Sequence, residues 1–119
     1  MKVFDSTSFE LKLPAEHRFP MRKYRLLSNR VRLELPEIEV DVAPAAAYEH
    51  LVAVHDARFV DRVYSGELSR SEIRKIGFPW SESLVERSRR SVGATIAASD
   101  AAMTDGVSVN LAGGTHHAH

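Results

Sequence analysis

The stretch from Ser81 to Leu111 restricts the fold more than any other part of the chain. Ser81 or Ser83 is placed to cap a helix that runs to about Thr104. Val85, Val92, Ile96 and Met103 recur along it at helical spacing, and Ala94, Ala97, Ala98, Ala101 and Ala102 give a smooth, closely packing face. Gly106 ends the helix, and Val107, Val109 and Leu111 then alternate as in a buried strand. A helix joined by a tight turn to an apolar strand is the pattern of a helix-covered parallel sheet. The fold class expected is α/β with a mainly parallel sheet.

The rest of the chain supplies elements for such a sheet. Lys2–Asp5 reads as a short strand, followed by the turn-prone Ser6-Thr7-Ser8. Pro14 and Pro20 bracket a loop, and a helix is expected from about Met21 to Asn29. Its first turn carries Arg22, Lys23 and Arg25, the wrong sign for a helix amino end, so these cations serve another purpose. Leu33–Val42 reads as two extended pieces around Pro36, and Ala45–His55 as a helix. Asp56 is placed to cap a helix with Phe59, Val60, Val63 and Tyr64 inward and Gly66 at its end. Ser69 opens a further short helix, Ser71–Ile76, which Gly77-Phe78-Pro79-Trp80 interrupts.

The 119 residues suffice for one domain, and neither an internal repeat nor a linker divides them. Formal net charge is zero, so no global field draws the chain to nucleic acid or to anionic lipid. The chain has no cysteine, which removes disulfides and thiolate metal sites and fits a cytoplasmic location. The amino terminus lacks the apolar core of a signal peptide, and no apolar run reaches membrane-spanning length. The expectation is a cytoplasmic protein with neither nucleic acid nor membrane as partner.

Chemistry concentrates in Gly113-Gly114-Thr115-His116-His117. The paired histidines follow the last strand, and α/β proteins bind ligands beyond the carboxyl ends of their strands. A surface pair on a frayed end, or part of a tag, is the plain alternative. The interrupting Ala118 and the preceding double glycine favour function. Neutral imidazole takes a proton near pH 7, and imidazolium stabilises negative charge or protonates a leaving amine. Two adjacent rings couple and tend to carry one proton between them.

Gly113-Gly114-Thr115-His116-His117-Ala118-His119 closely resembles the tandem-histidine motif of the metal-dependent histone deacetylase family. His17-Arg18-Phe19-Pro20-Met21-Arg22-Lys23-Tyr24 resembles the opening motif of its bacterial and class IV-like members. Ile76-Gly77-Phe78-Pro79-Trp80-Ser81, Leu84–Ser88 and Ser91-Val92-Gly93 follow in the family's order. The resemblance implies the amino-terminal part of an arginase–deacetylase-like three-layer fold. It implies hydrolysis of acetyl-lysine or acetylated small amines by water activated on zinc, or on iron. His117 would act as general base and then acid, with His116 as its electrostatic partner. In the family the metal ligands lie downstream of the tandem histidines. Residues 1–119 are therefore expected to be an incomplete deacetylase domain that binds no metal and is inactive alone.

Other residues allow two readings each. Phe78 and Trp80 either line a substrate opening or anchor a helix corner. His17 is open between a role in the site and packing in its loop. For His55-Asp56 a helix cap explains more than a metal site, and His50 reads as an exposed helical residue. Ser69–Ile76, a turn and Ser81–Ala98 with Arg87, Arg89 and Arg90 have the outline of a DNA-binding helix-turn-helix at residues 69–98. The neutral charge, Glu82 and Glu86 oppose that alternative. A non-catalytic interaction module is the other alternative. A sheet cut after this strand would leave apolar faces uncovered, so self-association of the isolated chain is expected.

Overall fold

A computed structural model describes residues 1–113. The element order is β1 (Lys2–Asp5), a 3₁₀ turn (Thr7–Phe9), α1 (Arg22–Glu34), β2 (Glu39–Val42), α2 (Tyr48–Val52), α3 (Ala57–Ser65), α4 (Arg70–Ile76), α5 (Glu82–Asp105) and β3 (Ser108–Asn110). The strands form one parallel sheet in the order β2-β1-β3. The α/β class and parallel sheet read from the sequence are observed.

β1 lies at the centre, paired with β2 on one edge and β3 on the other, and its two faces meet different helices. Phe4 packs with Ala94 and Ala98 of α5, whereas Asp5 takes hydrogen bonds from Ser28 and Arg32 of α1. Successive strand residues point to opposite faces, so α1 and α5 cover opposite sides of the sheet. From β1 the chain passes to β2 on one flank and later reaches β3 on the other. That reversal is a topological switch point, which opens a crevice at the carboxyl ends of the strands.

The long helix α5 forms as its sequence directs. The Ser81 hydroxyl accepts from the Leu84 N–H at 3.1 Å, and Gly106 closes the helix in the left-handed conformation, φ 81°. Its buried set is Leu84, Arg87, Gly93, Ala94 and Ala98. The expected apolar set is not the buried one: Val92 is partly open and Met103 is 88% exposed. The alanine face prevails because the Ala43–Ala47 backbone lies directly on the helix. A Cβ at Gly93 would stand 2.1 Å from the Pro44 carbonyl oxygen and 2.7 Å from the Ala46 nitrogen. The Ala46 N–H donates to the Arg89 carbonyl at 2.9 Å.

That contact also corrects the helix expected over Ala45–His55. Ala43 and Ala46 are buried as non-helical chain, and α2 begins only at Tyr48. Tertiary contact here outweighs the helix propensity of alanine. α1 runs past the expected end at Asn29 to Glu34, because Ser28 and Arg32 grip Asp5 and Arg30 pairs with Glu34. Pro36 disfavours helical backbone at Leu35 and ends it there. Leu33 is therefore helical rather than extended. The caps at Asp56, Gly66 and Ser69 form where the sequence places them, and Gly77 closes α4 at the expected interruption.

Candidate active site at the strand ends

Polar side chains are rarely buried without a purpose. Among the described residues the buried ones are Asp5, Ser6, Ser28 and Arg87, all gathered at the carboxyl end of β1. Asp5 accepts from the Ser28 hydroxyl at 2.6 Å, the Thr7 N–H at 2.9 Å and the Thr7 hydroxyl at 3.0 Å. Burial alone would raise its pKa, but these bonds and Arg32 outweigh it and hold the carboxyl below its ordinary value. Asp5 is thus an ionised anchor and a poor general base near neutral pH.

Arg87 donates through Nη1 to the Ser6 carbonyl at 2.9 Å and the Ser6 hydroxyl at 2.7 Å. Its guanidinium lies 4.5 Å from the centre of the Tyr24 ring. Burial pushes its pKa down, and Tyr24, Asp5 and Glu10 oppose that. Arginine keeps its charge in proteins, so Arg87 is a fixed buried cation.

Arg87 is one of three α5 residues that hold the strand ends. Arg90 donates to the Ala43 carbonyl after β2 at 3.0 Å, and the Ser91 hydroxyl to the Ala112 carbonyl after β3 at 3.0 Å. Positions three and four apart share one helix face. One turn of α5 therefore binds the chain leaving each of the three strands.

Beside this turn lies a cavity of about 220 Å³, lined by Phe19, Tyr24, Phe78, Leu84, Arg87 and Gly113 among others. Its walls are mainly apolar, with the buried Arg87 cation among them. Gly113 precedes His116 by three positions. His116 and His117 themselves lie outside the described residues.

The two aromatic candidates separate. Phe78 borders the cavity. Trp80 does not: its indole N–H donates to the Val63 carbonyl at 2.7 Å, and its ring packs against Gly66. His17 ties its loop to the turn after α4, with Nε2 3.2 Å from the Gly77 carbonyl and its ring stacked on Phe78. Asp56 caps α3 through the Phe59 N–H, and His50 receives the Ala47 N–H. Two of the three cations at the start of α1 also find their purpose: Arg25 pairs with Glu10 at 3.0 Å, and Lys23 lies over the Phe19 and Tyr24 rings.

In the helix-turn-helix reading, Arg87, Arg89 and Arg90 face DNA. Here Arg87 is buried, and Arg89 and Arg90 both bind Glu86, at 3.1 and 2.7 Å. α5 itself packs on the sheet. Among the described residues no cluster of three or more His, Cys, Asp or Glu is placed to hold a metal ion. Sequence reasoning missed Arg87 and Ser91 as residues that hold the strand ends. Arg87 carried a signal, since it falls three residues after Leu84 and seven before Ala94, a charge on the helix's own inward stripe.

Comparison with known proteins gives the family. The histone deacetylase domain matches residues 17–119. An uncharacterized protein of Picosynechococcus sp. is 37% identical over 110 residues, covering 89% of this chain and 36% of that protein. The chain thus spans about a third of the length of that relative. The domain match takes in nearly all of the cavity wall and the strand end that leads to the paired histidines, and the chain belongs to the histone deacetylase family.

Proposed function

We propose that this chain contributes the tandem-histidine portion of an amide hydrolase that removes acetyl groups from acetyl-lysine or from acetylated small amines. The observation that carries the reading is Gly113, which lines the cavity at the switch point and stands three residues ahead of His116. Family membership supplies the reaction class.

A divalent metal, zinc or iron, when bound elsewhere in the domain, would activate water and polarise the acetyl carbonyl. The described residues do not form its site, so only this chain's own groups are assigned steps. His117 as neutral imidazole takes a proton from water and returns it to the amine nitrogen as the C–N bond breaks. His116 beside it biases the pair toward sharing one proton. Phe78 supplies apolar contact to the substrate stem, and Trp80 fixes the corner that holds Phe78.

His117→Ala in the full-length protein tests the assignment. Removing the base is expected to lower hydrolysis of an acetyl-lysine peptide by at least about 10²-fold, with metal content unchanged by elemental analysis. Turnover within a few-fold of the parent protein would remove His117 from the role.

A further inference from the structure

Ala112 is the last buried residue before the double glycine, and both of its backbone polar groups are bound by side chains. Its N–H donates to Oδ1 of Asn110 at 3.0 Å, and its carbonyl accepts from the Ser91 hydroxyl at 3.0 Å. The amide nitrogen of Asn110 in turn donates to the Ser91 carbonyl at 3.1 Å and to the Thr95 hydroxyl at 3.0 Å. Asn110 and Ser91 thus join Ala112 to α5 in a closed set of four hydrogen bonds.

The position of this set gives it consequence. Gly113 and Gly114 have no side chains through which the fold can hold them, and glycine leaves the backbone its widest choice of direction. Among the described residues Ala112 is the last whose backbone is held by side chains, and it sets where the chain departs toward His116 and His117. The packing of α5 on β1 does not depend on this set, because Phe4, Ala43, Ala94 and Ala98 make it.

We propose that Asn110 and Ser91 are positioning residues for the tandem histidines, acting through the backbone of Ala112. The proposal rests on the hydrolase reading above. An anchored take-off narrows the range of positions open to the acid–base pair, and misplacement by about 1 Å costs about 10²-fold in rate.

The experiment compares Asn110→Ala, Ser91→Ala and Ser91→Thr with the parent full-length protein. Two readouts are taken, steady-state kinetics on an acetyl-lysine peptide and amide hydrogen exchange at Ala112 and Gly113. Both alanine variants are expected to lose about 10- to 100-fold in kcat with KM within about two-fold. Ser91→Thr keeps the hydroxyl and restores kcat to within a few-fold. Asn110→Ala is expected to speed exchange at Ala112 by roughly tenfold, the loss of one hydrogen bond. Parent-like kcat in variants whose Ala112 exchange has risen would overturn the positioning role. Unchanged exchange would overturn the anchor itself. A parent protein without hydrolysis would overturn the hydrolase reading and the role with it, and exchange at Ala112 separates that failure from a failed anchor.

Discussion

α1 and α5 cover opposite faces of one sheet, yet only α5 is built into it. α5 presents glycine and alanine, so backbone from the sheet side reaches it directly, as the contact at Gly93 shows. That closeness brings Arg87, Arg90 and Ser91 within hydrogen-bond reach of the three strand ends. α1 reaches the sheet through polar side chains, Ser28 and Arg32 on Asp5, and buries only Tyr24 and Ser28. Its Leu26, Leu27 and Leu33 stay open, Leu33 at 76%. Small residues on a helix let backbone fix backbone, while large residues need a partner of matching shape. The site lies at the end of the sheet that the tightly joined helix organises.

Gly93→Ala attacks this difference hardest. The added Cβ meets backbone rather than a flexible side chain, so the Ala43–Ala47 segment must leave α5. A loss of about 3 kcal/mol or more is expected in chemical denaturation. A change under about 1 kcal/mol would show that the close contact is dispensable.

An intermediate effect is expected at Asp5, the tie to α1. Its folded pKa is depressed, so its contribution is fully present above the ordinary carboxylate pKa of about 3.9. That contribution is lost as pH falls through the lower folded value. Asp5→Asn is expected to cost about 1–2 kcal/mol at pH 7 and to flatten stability against pH below about 4. An acid profile parallel to that of the parent protein would mean that the carboxylate charge does not hold α1.

The smallest effect is expected on the open face of α1. Leu33→Lys should change stability by less than about 0.5 kcal/mol while lowering any self-association seen by sedimentation. A larger loss would show that this face is covered after all.

Features set by local chemistry were legible in the sequence. Ser81, Asp56, Ser69, Gly66 and Gly106 each stop or start a helix through bonds within a few residues, and each does so where expected. β1 also appears where its apolar pattern puts it. The Ala43–Ala47 segment was not legible, because its conformation is decided by Gly93, far along the chain. The same distance hid the roles of Arg87, Ser91 and Asn110, whose partners lie 81, 21 and 19 positions away. Phe78 and Trp80 looked alike in sequence, and only the position of α3 separates them. The tandem histidines were the plainest chemical signal, and they lie outside the described residues.

Acetate release tests the central claim most directly. Full-length protein supplied with zinc or with ferrous iron is mixed with an acetyl-lysine peptide and with an acetylated diamine, and free acetate is measured. The account predicts metal-dependent release from at least one substrate that His117→Ala abolishes. No release with either metal, or release that survives the substitution, would contradict it.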